Sequence, residues 1–201
     1  MKLYYAPGSC ALSPHIVLEE AGLPYEAERV DLKTKQTAQG ADYLALNAKG
    51  YVPALVLDDG TLLTEGPAIV QYLADLVPER QLAPANGTLP RYQLQSWLTY
   101  IGTELHRNFT PFFNPAATPE MKELARATLQ RRLAYADAQL ATQPYLLGEA
   151  FSVADAYLFT VLSWARYVKI DLSGFAHLVA FLARVGERPA VQRALKAQGL
   201  I

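Results

Sequence analysis

The stretch Met1–Leu23, MKLYYAPGSCALSPHIVLEEAGL, decides how the rest of the chain is read. Lys2 to Tyr5 is a short apolar and aromatic run stopped by Pro7-Gly8, which predicts a strand and then a turn. From Ala11 the apolar residues fall at Leu12, Ile16, Val17 and Ala21, a helical period closed by Gly22. Pro14 suits the first turn of that helix, where a missing N–H breaks no hydrogen bond. Cys10, the only cysteine, stands where the helix begins. Unpaired N–H groups and the positive end of the helix dipole meet there, and such a setting stabilises a thiolate. The alternative is that Cys10 is a small buried apolar residue. Position 13 is Ser13 and no second cysteine exists, so a partner thiol must come from another molecule.

Working outward, Glu26 to Leu32 reads as a second strand, and the span between the two strands holds one helix. That predicts a right-handed βαβ unit with parallel strands. Lys33 to Ala41 is polar and reads as a loop; Asp42 to Asn47 reads as a helical turn. Asn47-Ala48-Lys49-Gly50 is a further turn that delivers Tyr51-Val52-Pro53. Ala54–Leu57 and Thr61–Leu63 flank Asp58-Asp59-Gly60, a hairpin signal. Thr64-Glu65-Gly66-Pro67 opens a helix whose apolar face is Ile69, Val70, Tyr72, Leu73 and Leu76. The first domain is thus expected over residues 1–77 as an α/β unit, βαβ-α-ββ-α, with four strands. Residues 78–90, rich in proline, read as a linker. Residues 91–201 read as an all-helical domain, with helical periods over 91–107, 118–141, 152–168 and 176–197, the last divided by Pro189. Ser152-Val153-Ala154-Asp155 has the form of a capping box, with Asp for the usual Glu or Gln.

A chain that is 51 % hydrophobic and 18 % charged can build a real core. A net charge of -1 and the lack of a basic run argue against a nucleic-acid partner. No apolar run approaches membrane-spanning length, and no charged-then-apolar leader opens the chain, so the expectation is a cytoplasmic protein with no membrane partner. His, Cys and Asp do not cluster at metal-ligand spacing, and neither GxxxxGK[ST] nor GxSxG occurs, so no metal is expected.

Several residues could carry chemistry. Val52-Pro53 is a candidate cis bond that would turn the Val52 N–H and C=O outward to pair an extended peptide; the alternative is an ordinary strand-start proline. Glu65 could bind an ammonium and the N–H groups from Gly66 a carboxylate, or Glu65 simply complements the helix dipole. His106, in the polar patch Leu105-His106-Arg107-Asn108-Phe109, could accept a proton or donate to a thiolate, or be structural. Tyr5 could donate to a thiolate, or be a strand aromatic.

Taken in order, KLYYAPGSCALSPHIVLEEAGL, VDLKTKQT, GADYLALNAKGYVPALVLDDG, LLTEGPAIVQYLAD, ELHRNFTPFF, PYLLGEAFSVADAYLF and GERPAVQRAL resemble the bacterial beta-class glutathione S-transferases over essentially the whole chain. With LAPANG, the likeness extends to members found in bacterial aromatic-degradation pathways. The resemblance implies a thioredoxin-like N-terminal domain, an all-helical C-terminal domain carrying the electrophile site, a homodimer, and glutathione as co-substrate. It makes Cys10 the beta-class cysteine beside the glutathione sulfur, with His106 and Tyr5 as the other catalytic candidates. Val52 and the cis-proline Pro53 pair the peptide, and Glu65 and Gly66 hold the γ-glutamyl end. Lys35, His106 and Arg107 lie around the glycine end and the sulfur. Thr99 and Thr103 stand where relatives carry Asn and Ser, and Arg107 replaces a lysine, keeping its charge with a forked geometry. Phe109, Phe112, Phe113 and Trp164 are expected to wall the electrophile site. The implied activity is conjugation of glutathione to hydrophobic electrophiles in detoxification. Rivals are a glutathione-dependent thiol–disulfide oxidoreductase or reductive dehalogenase acting through Cys10, and a non-catalytic ligand-binding protein.

Overall fold

A computed structural model describes residues 1–201, which form two compact units. The first is built on five strands: β1 (Lys2–Tyr5), β2 (Glu26–Asp31), β3 (Gln36–Thr37), β4 (Ala54–Val56) and β5 (Leu62–Thr64), in the order β3-β2-β1-β4-β5. β1 and β2 run parallel in the register Lys2↔Glu26 to Tyr5↔Arg29, joined by α1 (Leu12–Ala21) as the βαβ reading requires. β4 is antiparallel to β1, and β5 to β4 across the Asp58-Asp59-Gly60 turn. The sheet has five strands rather than four. β3 lies in the stretch read as a loop and is held only by Val30↔Thr37 and Asp31↔Gln36. A two-residue strand has no periodicity to betray it; its partner creates it.

Gly22 ends α1 in the left-handed conformation, its N–H bonded to Leu18 O, which a residue with a Cβ adopts only at a cost. Every residue from Leu12 to Leu18 is buried, so α1 is covered on all sides rather than amphipathic. α2 (Tyr43–Leu46) is the expected short turn, capped by Asp42, and α3 (Gly66–Asp75) buries Ile69, Val70 and Leu73. A single 3₁₀ turn, Pro78–Arg80, interrupts the stretch read as linker.

The helical unit contains α4 (Leu89–Tyr100), a π-helical turn (Ile101–His106), α5 (Arg107–Phe113), α6 (Pro119–Leu140), α7 (Val153–Ser163), α8 (Ala165–Val168) and α9 (Ala176–Gly186). Thr88 and Thr118 cap α4 and α6 through their hydroxyls. The capping box on α7 is present: Asp155 accepts from the Ser152 N–H (2.8 Å), the Ser152 hydroxyl (2.7 Å) and the Leu146 N–H (2.9 Å).

The expected division at 91–201 is corrected at the C-terminus. The compact units are Met1–Ala83 with Arg188–Ile201, and Pro84–Glu187. α10 (Pro189–Ala197) buries Ala190, Val191, Ala194 and Leu195 and packs on α1. Pro189 ends the run of helix, and the tail then returns to the sheet unit. Arg188 forks onto Glu20 (2.6 and 2.9 Å), and Arg193 bonds Glu19 (2.5 Å).

Candidate functional site

In the first unit the chain leaves β1 through a tight turn. Ser9 fixes it: its N–H and hydroxyl both donate to Ala6 O (3.1 and 2.7 Å), and its oxygen accepts from the Ala11 N–H (3.2 Å). Cys10 follows, one residue before the N-cap of α1. The Val52–Pro53 bond is cis. The Cys10 thiol donates to the Val52 carbonyl at 3.3 Å, so of the two Val52 backbone groups expected to be open, the carbonyl is engaged and the N–H alone has no partner in the chain. A sulfur that donates carries its proton. Burial pushes the Cys10 thiol up to about 11. The N–H groups of Cys10 and Ala11 pull the other way, while the Glu65 carboxylate adds to the rise. The thiolate expected from the helix start is therefore corrected: the stabilising N–H groups are there, and desolvation outweighs them.

Glu65 precedes α3 with φ 71°, a backbone region that favours glycine. Its carboxylate meets the Lys49 ammonium (2.5 Å) and the Tyr51 hydroxyl (3.3 Å), and Lys49 also reaches Thr64 Oγ1 (3.0 Å). Lys49 and Tyr51 were absent from the sequence candidates; both come from the Lys49-Gly50-Tyr51 turn, whose facing Glu65 is a matter of tertiary placement. Gly66 opens α3 beside Pro53: a Cβ there would lie 3.8 Å from the proline ring. Lys35, also at positive φ, holds Gly50 O through its ammonium (2.5 Å). Tyr43 and Asn47 both donate to Tyr51 O, which fixes the segment entering Val52. Cys10, Val52, Pro53, Glu65, Gly66 and Lys35 are thus borne by adjoining loops of one unit. Tyr5 is placed otherwise. Its ring lies 5.8 Å from that of His15, and no hydrogen bond joins it to Cys10.

In the helical unit His106 closes the π-helical turn, where the Arg107 N–H reaches back to Gly102 O. Its Nδ1 lies 2.7 Å from the Tyr157 hydroxyl, and its ring meets Trp164 edge-on at 4.7 Å. Burial lowers it to about 4, so at neutral pH it is uncharged. Phe109 and Phe113 each pack 5.8 Å from Trp164. The expected aromatic wall is partly corrected. Phe109 is 0 % and Trp164 5 % exposed, so both are core, whereas Phe113 is 52 % exposed. Phe112 turns away and lies under the Arg126 guanidinium at 5.3 Å. Thr99 and Thr103 are exposed, and their hydroxyls bond back to Gln95 O (2.8 Å) and Thr99 O (3.0 Å), which leaves each with acceptor capacity only. Arg107 is exposed.

The arrangement gives a protonated thiol, a free backbone N–H and a carboxylate on neighbouring loops of a thioredoxin-like sheet. Comparison with known proteins shows the family. The family model for the glutathione S-transferase N-terminal domain matches residues 8–76, and that for the C-terminal domain residues 100–189. The glutathione S-transferase GstA of Escherichia coli O157:H7 is 52 % identical over 200 residues, 100 % of both chains. The chain belongs to the glutathione S-transferase family. Among solved structures, BphK, a bacterial glutathione S-transferase in a ternary complex, is 60 % identical with a TM-score of 0.98, over 99 % of this chain and 100 % of that one. A sphingomonad glutathione S-transferase complexed with glutathione is 47 % identical with a TM-score of 0.96, over all of both chains. The beta-class enzyme of Sphingomonas chungbukensis is 45 % identical with a TM-score of 0.97, again over all of both. This glutathione S-transferase is accordingly a transferase enzyme of the bacterial beta-class type, with the thioredoxin-like and helical domains expected from its sequence.

Proposed function

We propose that this glutathione transferase conjugates the thiol of reduced glutathione to small hydrophobic electrophiles, as a cytoplasmic homodimer serving detoxification. The observation that carries the reading is the Cys10 thiol on the Val52 carbonyl beside an unpaired Val52 N–H. An extended peptide pairs a backbone N–H and C=O with such an edge. Its cysteinyl N–H takes Val52 O and displaces the Cys10 donor, whose S–H then turns to the incoming sulfur. Its α-ammonium takes the place of Lys49 on Glu65, and its carboxylate uses the N–H groups from Gly66. Lys35 supplies a cation for the glycine end.

In the reaction the glutathione thiol gives its proton to solvent. The thiolate attacks the electrophilic carbon, forms a C–S bond and expels the leaving group. The Cys10 S–H serves as a hydrogen-bond donor to that sulfur, and each unit of pKa lowering corresponds to about 1.4 kcal/mol. Phe113 offers apolar surface to the electrophile. The test is conjugation to a chloronitroarene by the wild type and by Cys10→Ala. An active wild type with a weakened variant supports the reading. A wild type that binds glutathione and conjugates nothing across a broad electrophile panel refutes it. If Cys10→Ala conjugates at full rate and loses only disulfide reduction, Cys10 belongs to redox chemistry and leaves the conjugating site.

A further inference from the structure

We propose that Lys49 sets the affinity of the glutathione site: in the ligand-free protein its ammonium occupies the Glu65 carboxylate as the ligand's own α-ammonium does, and so competes with it. The proposal rests on the reading above that glutathione places its ammonium on Glu65. Every group involved belongs to the unit built on the sheet. Lys49 Nζ lies 2.5 Å from Glu65 Oε1, 3.0 Å from Thr64 Oγ1 and 5.9 Å from the centre of the Tyr51 ring. A carboxylate, a hydroxyl and an aromatic face suit any primary ammonium, whether it comes from a lysine or from a ligand. The Tyr51 hydroxyl reaches the same Oε1 at 3.3 Å, and Oε2 has no partner in the chain. A ligand ammonium on Oε1 must remove Lys49, and one on Oε2 alone shares the carboxylate with a like charge. In both positions the lysine opposes it. The turn holds the backbone of Lys49 and leaves its side chain free to depart. The Lys49 N–H donates to Asn47 Oδ1 (3.2 Å), and the Asn47 amide and the Tyr43 hydroxyl hold Tyr51 O (2.9 and 3.0 Å). The side chains of Lys49 and Glu65 are 44 % and 56 % exposed, so their ion pair is solvated and easily exchanged. The Lys35 ammonium is bound to Gly50 O and does not share Glu65.

The test is calorimetric titration of the full-length wild type, Lys49→Met and Glu65→Gln with two ligands. One is glutathione, kept reduced; the other is the same tripeptide with glutaryl in place of γ-glutamyl, which lacks only the ammonium. Lys49→Met keeps the length of an exposed side chain and removes its charge. It is expected to bind glutathione about two- to fivefold tighter than the wild type, the range that an exposed ion pair commands. It is expected to bind the glutaryl peptide no tighter than the wild type, because that ligand brings nothing that competes for Glu65. Equal tightening of both ligands overturns the proposal, since it assigns the effect to a loosened turn. Unchanged or weaker glutathione binding in Lys49→Met, with Glu65→Gln weakened about tenfold, also overturns it: Lys49 then orients Glu65 or pairs with the ligand's carboxylate, and the reading above stands. If Glu65→Gln binds glutathione as the wild type does, the ammonium is not on Glu65. That part of the reading above then falls, and the proposal with it.

Discussion

At Cys10 two effects compete, and their magnitudes decide the outcome. The N–H groups at the helix start act over one turn, while burial acts on the whole charge, and the thiol ends at about 11. Alkylation of the ligand-free protein by iodoacetamide is therefore expected to be slow at pH 7 and to rise about tenfold per pH unit up to pH 10, with no plateau. A plateau below pH 8 contradicts this. Glu65 sets a second contest at this scale, between backbone and side chain. Its φ of 71° costs about 1–3 kcal/mol for a residue with a Cβ. Glu65→Gly and Glu65→Ala both lose the carboxylate, so both are expected to raise KM for glutathione about tenfold. Only glycine relieves the backbone, and after its larger unfolded-state entropy Glu65→Gly is expected to be the more stable by about 1 kcal/mol in denaturant melts. Equal stabilities would show the backbone at Glu65 to be unstrained. The positions of Cys10 and Glu65 were legible in the sequence, because turn and helix-start signals are local. The protonation of Cys10 and the pairing of Glu65 with Lys49 were not, because burial and facing loops are set by distant residues.

Elements show the same division. The βαβ unit, the Asp58-Asp59-Gly60 hairpin and the α7 capping box were written in period, turn chemistry and spacing. β3 and the π-helical turn were not: one is two residues long, and the other shifts the hydrogen-bond register without breaking helical periodicity. Phe112 illustrates the consequence, since the line of aromatics from 109 to 113 looked like one wall and is split between Trp164 and Arg126. The capping box yields a prediction about α7. Removing Asp155 strands the buried Ser152 and Leu146 N–H groups, so Asp155→Ala is expected to lose about 3 kcal/mol or more. Burial lifts Asp155 to about 6, above its usual value of 3.8, despite its three donors. With the folded value the higher, the folded state binds the proton more tightly. The advantage of wild type over Asp155→Ala should be largest below pH 4 and should shrink as pH rises through 6. Melts of both proteins across that range check the sign; an advantage that grows with pH would mean that the three hydrogen bonds overcome desolvation.

For the molecule as a whole, the return of residues 188–201 to the sheet unit is the feature that chain order concealed, because helical period says nothing about which partner a helix chooses. The tail carries a directed run of hydrogen bonds into the loop of Cys10. Arg193 donates to Glu19, and Tyr25 donates to Glu19 (2.5 Å). His15 Nε2 meets Tyr25 (2.8 Å), the Gln198 amide meets His15 Nδ1 (3.0 Å), and Gln198 Oε1 accepts from the Gly8 N–H (3.0 Å). Gln198 is 5 % and His15 1 % exposed, so each bond lies where a lost partner is costly. Gln198→Leu keeps the bulk and removes the amide. It is expected to cost about 2–3 kcal/mol in denaturant melts and to speed alkylation of Cys10, since the loop loses its tie to the tail. His15 in that run, and separately His106 in the helical unit, make the protein acid-sensitive. Burial lowers His15 below its usual 6.5, and burial lowers His106 to about 4. Both then bind protons more readily unfolded than folded, so the stability they allow is intact above pH 6.5 and is lost progressively as pH falls from there toward 4. In Gln198→Leu the His15 lone pair loses its donor, and protonation there breaks one fewer bond. The variant should therefore lose less further stability than wild type between pH 7 and pH 5. Parallel losses in the two proteins over that range would separate His15 from the acid response and leave it to His106.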